Sequence, residues 1–174
     1  MALESLGLTF KIEPLHISEE KLPSEDHLTY LKRITISKLG NPINFDNNLY
    51  ISSDTIVVYQ NIIYPKPLTP ENNFQTLKIL SGKTHSVFTG LCLFYKNRIH
   101  YDFDESKVTL KTLQDSEIMD YIKTYNPIDK AGGYAIQDKK SPVENLTGSY
   151  WNVVGFPMRK FYSYHNVWSD FLKQ

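Results

Sequence analysis

Two long runs rich in β-branched and aromatic residues, Thr84 to Tyr95 and Arg98 to Phe103, are separated only by Lys96-Asn97. A two-residue connection has no room for a crossover, so these runs are predicted to pair as an antiparallel hairpin. Lys107 to Leu113 is predicted to continue the meander. Any fold open to this chain must therefore contain a hairpin of long strands.

The flanking segments carry a different period. Leu28, Leu31, Ile34 and Leu39 recur at spacings that line one helical face, with Gly40 as the stop. Thr69-Pro70-Glu71 supplies a capping hydroxyl, a proline tolerated in the first turn and an acid near the positive helix end. Phe74, Leu77 and Leu80 follow, and Gly82 closes the helix. A third helix is predicted from about Ser116 to Tyr125, burying Ile118, Ile122 and Tyr125 and ending at Asn126-Pro127. A last helix from Pro157 would bury Met158, Phe161, His165, Trp168 and Leu172. Leu8 to Pro14 reads as a short strand, Asn41 to Asn48 as a polar loop, and Tyr50 to Tyr59 as a strand with a polar middle. Strands and helices without strict alternation predict an α/β or α+β fold with a mixed sheet, not a doubly wound parallel one.

At 174 residues and 41% hydrophobic content the chain fits a single domain with a sizeable core. Nineteen Lys and Arg balance nineteen Asp and Glu, so no overall field favours nucleic acid or an anionic membrane, and neither partner is expected. Cys92 is the sole cysteine, which excludes an internal disulfide and a cysteine-rich zinc site. No run approaches ~18 apolar residues and no leader pattern opens the chain, so a cytoplasmic location is expected. A phosphate loop ending in Gly-Lys-Ser/Thr and a His-Glu-x-x-His motif are both lacking, and the five histidines are scattered. His85, ahead of a strand, is expected to be a loop or structural hydrogen-bonding residue.

Asp54 is the residue that local patterning does not explain. A carboxylate inside an apolar strand costs several kcal/mol to desolvate unless it is paired, hydrogen-bonded or metal-bound. Glu19, Lys38 and Lys66 stand at other element boundaries, with Thr55 beside Asp54. Cations to neutralise a polyphosphate, carboxylates to hold a divalent metal or orient a water, and polar groups to read a base make a set suited to a phosphate ester. In Asp129 to Gln137 a charged pair precedes Gly132-Gly133, which permit close backbone approach, and then an amide, Gln137, with one donor and one acceptor group. The same run also reads as an ordinary loop.

Five stretches, in this order and spacing, resemble the Maf proteins, nucleoside triphosphate pyrophosphatases once named for septum formation inhibition. They are Ser53-Asp54-Thr55-Ile56-Val57-Val58, Lys66-Pro67, Leu80 to Gly90, Asp129 to Gln137, and Gly148 to Pro157. The resemblance spans nearly the whole chain and implies an elongated mixed sheet with flanking helices, two lobes around a cleft, of the Maf and ITPase-like kind. It further implies hydrolysis of a nucleoside triphosphate to the monophosphate and pyrophosphate with Mg²⁺ or Mn²⁺, and a homodimer. Asp54 matches the family's catalytic acid. Alignment through Leu6 to Phe10 places Glu19 on the acidic cleft position, so Asp54 and Glu19 are the implied metal ligands and water activators. Lys38 and Lys66 match the phosphate-neutralising lysines, and Gly132 and Gly133 the close-approach glycines. Thr55 and Gln137 match the branch that acts on dTTP and UTP. Such proteins open with a strand and a Ser-x-Ser-Pro-Arg-Arg loop, and the resemblance here starts after it, with Met1 to Ser5 matching the end of the next helix. Loss of that loop would impair turnover, so a nucleotide-binding regulator linked to septum formation is the alternative expectation.

Overall fold

The hairpin is the spine of the molecule. Strands β1 (Tyr50–Tyr59), β2 (Ile62–Tyr64), β3 (Thr84–Tyr95), β4 (Arg98–Leu110) and β5 (Val143–Thr147) form one sheet in the order β2-β1-β3-β4-β5. The coordinates are a computed structural model in which residues 3–40 and 48–173 are described. β3 and β4 pair from Thr84 opposite Thr109 to Tyr95 opposite Arg98. Lys96 and Asn97 both turn in the left-handed region, φ 47° and 59°, which matches the right-handed twist of the strands they join. The α/β class with flanking helices holds. Every strand pair among the described residues is antiparallel, so the parallel component of a mixed sheet is not among them. β4 runs unbroken through Asp104-Glu105-Ser106, where the polar residues predict a gap, because β3 supplies ladder partners whatever the side chain.

Strand alternation gives the sheet two faces. On one, Ile56, Val58 and Phe88 pack against Tyr30, Leu31 and Ile34 of α1 (His27–Ser37). Asp26 caps that helix by accepting from the Thr29 amide at 2.7 Å. The other face carries two separate apolar clusters. In the first, Val57, Val87, Val108 and Leu110 meet Leu77 and Leu80 of α2 (Pro70–Leu80) and Ile118 and Ile122 of α3 (Asp115–Tyr125). The second follows α4 (Tyr150–Val154). There Leu91 and Leu93 meet Met158 and Phe161 of α5 (Met158–Ser163) and Val167 of α6 (His165–Leu172). Each buried aliphatic side chain contributes roughly 1.5–3 kcal/mol. Between the clusters the same face presents Ser53, Thr55 and Thr89, so two lobes flank a polar floor.

Three local expectations are corrected. Leu8 to Pro14 forms no strand: Ile12 is 61% exposed, and the segment finds no ladder partner among the described residues. The single terminal helix is two, broken at Tyr164 (φ −95°, ψ 24°). The break rotates the buried face to Val167 and leaves His165 and Leu172 exposed, while Trp168 stacks on Phe161 at 5.3 Å. Tyr125 is half-buried, not buried. Apart from Asn48, the loop predicted over 41–48 lies outside the described residues. No helix among the described residues is long and apolar enough to cross a membrane.

His85, the second residue of β3, is a buried structural residue. Its Nε2 lies 2.7 Å from the Tyr134 hydroxyl, and burial pushes its pKa down to about 4. The unfolded chain binds this proton near pH 6.5 and the folded chain only near 4, so stability falls as pH drops between the two. Urea unfolding between pH 6 and 5 is expected to lose up to about 1.4 kcal/mol per pH unit from this group. In His85→Gln the slope should be shallower by that amount; an unchanged slope would assign the pH dependence elsewhere.

Candidate functional site

The polar middle of β1 is explained by what surrounds it. Ser53 and Thr55 point to the floor between the lobes, where the Ser53 hydroxyl lies 2.8 Å from both the Gly90 and Gly155 carbonyl oxygens. Asp54 alternates to the α1 side and is hydrogen-bonded to Lys38, the residue that caps the α1 C-terminus. That cap position itself favours a cation. β2 pairs only with Val57 to Tyr59, so among the described residues the β1 edge at Asp54 has no ladder partner on that side. A cavity of about 240 Å³ wraps over this edge, reached by Asp54, Thr55, Lys66, Asp129 and Gln137.

Four charges form an alternating chain beside it. Lys38 Nζ holds Asp54 and lies 2.9 Å from Glu19 Oε1, and Lys66 Nζ lies 3.8 Å from Glu19 Oε2. Glu19 belongs to an irregular segment, yet its backbone is pinned. The Tyr30 hydroxyl donates to its carbonyl at 2.8 Å, and Arg33 Nη2 donates to the next carbonyl, Glu20, at 2.8 Å. Burial dominates at Asp54 and pushes its carboxyl above the usual aspartate range, with Glu19 adding to that against Lys38 and Lys66. At Lys38 burial acts downward, but the bonds to Asp54 and Glu19 outweigh it and the ammonium is retained more firmly than usual. Glu19 is lowered because Lys38 and Lys66 together outweigh its burial.

Lys66 and the Asp129 loop meet because the Leu68 amide donates to the Ile128 carbonyl at 3.0 Å. The loop carrying Gln137 is fastened from beneath. Asn73 Nδ2 donates to Gly133 O at 3.2 Å, the Tyr121 hydroxyl accepts from the Ala135 amide at 3.0 Å, and Ser141 Oγ donates to Ala135 O at 2.9 Å. Gly132 and Gly133 are not on the cavity wall. Both have positive φ, 69° and 71°, and the space a Cβ would need is filled by Val57 and Asn73 respectively. The pair shapes the loop that presents Gln137. Glu19 and Lys38 are not among the lining residues either, and join Asp54 and Lys66 through their ion pairs.

Among the described residues no group of three or more His, Cys, Asp or Glu could hold a metal. Asp54 and Glu19 nevertheless offer two hard oxygens drawn to one point, the Lys38 ammonium. A magnesium-like ion commonly takes one or two carboxylates and completes its shell with phosphate oxygens and water. Two carboxylates are within that number, and the point between them is held by the Lys38 ammonium, a cation in the place such an ion would take.

A model of the Maf-like protein family matches residues 1–166. The chain belongs to the Maf family. A dTTP/UTP pyrophosphatase from Leptospira biflexa is 48% identical over 166 residues, covering 95% of this chain and 86% of that protein. A dTTP/UTP pyrophosphatase from Leptospira interrogans is 46% identical over 171 residues, 98% and 90% respectively. One from Caldicellulosiruptor bescii is 37% identical over 164 residues, 90% and 82%. In this Maf-family chain the cavity also draws on residues that local patterning left unassigned: Ser53, Tyr134, and Val153 and Val154 of α4. Five residues of helix are too few to show a period. Asp129 and Lys130, paired at 2.7 Å on the cavity rim, were visible only as a charged pair before the glycines.

Proposed function

We propose that the chain is a nucleoside triphosphate pyrophosphatase acting on dTTP- or UTP-like nucleotides, releasing the monophosphate and pyrophosphate. One observation carries the reading: Asp54, set in an apolar strand, faces the same cavity as Lys66 and Gln137, with Lys38 ion-paired to Asp54 and Glu19 to Lys38. The names of the Leptospira and Caldicellulosiruptor relatives support the pyrimidine substrate.

In this mechanism Asp54, steadied by Lys38 and aided by Glu19, takes a proton from the attacking water. The water oxygen bonds to the α-phosphorus, the bond from that phosphorus to the bridging oxygen breaks, and pyrophosphate leaves. Lys66 and Lys38 offset the charge of the phosphate chain. Thr55 and Gln137 read the base, and the Gly132-Gly133 turn holds Gln137 in place. A Mg²⁺ or Mn²⁺ ion held by Asp54 and Glu19 would polarise the phosphate oxygens and supply positive charge there. A cytoplasmic setting and a homodimer complete the proposal; light scattering reads the second directly.

The test is pyrophosphate release across dTTP, UTP, CTP, ATP and GTP, with and without Mg²⁺ or Mn²⁺. Release from dTTP and UTP that requires the metal is expected. Binding that raises the melting temperature without release from any nucleotide would replace the enzyme with a nucleotide sensor.

A further inference from the structure

Thr55 and Thr89 stand directly opposite one another on β1 and β3, with hydroxyl oxygens 3.0 Å apart. Distance alone does not say which donates. Thr89 Oγ1 also lies 2.7 Å from the backbone carbonyl oxygen of Asn152, and a carbonyl can only accept. A threonine hydroxyl has one proton, so that of Thr89 goes to Asn152. Thr55 is therefore the donor to Thr89, and its own proton points into the protein. Thr55 lines the cavity, and with its proton so engaged its hydroxyl has only a lone pair left to offer there. Thr89 and Asn152 are both fully buried, so water does not compete for these positions. Asn152 is itself held by Nδ2 donating to Val87 O and Ser106 Oγ, each at 3.0 Å.

We infer that Thr89 is a positioning residue that sets base specificity: it fixes Thr55 as a hydrogen-bond acceptor and so selects a base edge presenting a ring N–H, as uracil and thymine do at N3. Cytosine presents an acceptor at N3, and two lone pairs would face each other. The inference rests on the cavity being the nucleotide site of the proposed reaction. Gln137 does not make this distinction alone, because its amide presents a donor or an acceptor by turning over. A threonine hydroxyl free to rotate would be equally permissive. The buried Thr89-Asn152 relay removes that freedom.

The test is calorimetric binding of the α,β-methylene analogues of UTP and CTP, which are not cleaved between the α and β phosphates. The wild-type chain is expected to prefer the uridine analogue about tenfold, the scale of one well-placed hydrogen bond against an unpaired acceptor. Thr89→Val keeps the shape and removes the relay, and should bring the ratio close to one; Thr89→Ser restores the hydroxyl and should restore the ratio. Equal binding of both analogues by the wild type, or a wild-type ratio in Thr89→Val, overturns the inference. Should Thr89→Val fail to fold, Thr55→Val decides: a ratio near one supports the inference and a wild-type ratio overturns it. Selective binding of the uridine analogue without pyrophosphate release from UTP would remove the enzymatic reading and leave this one standing.

Discussion

Asp54→Asn is expected to lower pyrophosphate release from UTP by about three orders of magnitude, within the range general-base removal produces, while leaving the chain folded. The side chains are isosteric, and Lys38 keeps Glu19 as its ion-pair partner at 2.9 Å. What disappears is the only carboxylate on β1 that reaches the cavity. The pH dependence gives a second readout. Asp54 must be ionised to accept a proton, and burial, reinforced by Glu19, raises its carboxyl. The acid limb of kcat for the parent should therefore lie above the ordinary aspartate value of about 3.9. Residual turnover in Asp54→Asn should lack that limb. Steady-state kinetics from pH 4 to 9, alongside circular-dichroism melting, measure both; parent-like turnover in a folded variant would remove Asp54 from the chemistry.

Gly133→Ala is expected to cost about 2–5 kcal/mol of stability, the sum of a left-handed conformation forced on an L residue and overpacking of a filled space. Gly133 has φ 71°, and a Cβ there would overlap Asn73 Oδ1. Asn73 cannot retreat, being fully buried and bonded to Gly133 O at 3.2 Å. Gly7 offers the matching control, since its φ is 70° but nothing lies within 4 Å of its missing Cβ. Gly7→Ala should thus show the conformational cost alone, and the difference between the two in urea unfolding isolates the packing part. If both variants unfold at the same urea concentration, Asn73 does not hold the Gln137 loop as described.

The legible parts of the fold are those whose cause lies within a few residues. The β3 limits were visible because β-branched and aromatic residues fill the strand and Lys96-Asn97 turns it. The α2 limits were visible because Thr69 supplies the cap, accepting from the Asn72 amide at 3.2 Å, and Pro70 fits the first turn. β2 and β5, of three and five residues, carry too little pattern. Leu8 to Pro14 alternates like a strand, and only its lack of a ladder partner among the described residues makes it irregular. The break at Tyr164 was likewise hidden, because Met158, Phe161 and Trp168 keep a helical spacing on either side of it.

The candidate site divides in the same way. Asp54 was conspicuous as a carboxylate in an apolar strand, and Gln137 as an amide after a double glycine; both are properties of adjacent residues. For Glu19, Lys38 and Lys66, however, nothing local separated a site residue from a solvated one, and only the family resemblance pointed to them. Capping, turn type and side-chain alternation follow from short-range sterics and hydrogen bonding, so the sequence alone determined where the long strands and capped helices run. Lys38 reaches Asp54 across 16 residues and Thr89 reaches Asn152 across 63. Such contacts exist only once burial of the apolar clusters on both faces of the sheet has brought the segments together, and so the tertiary structure alone decided which charges pair and which way the Thr55 hydroxyl points.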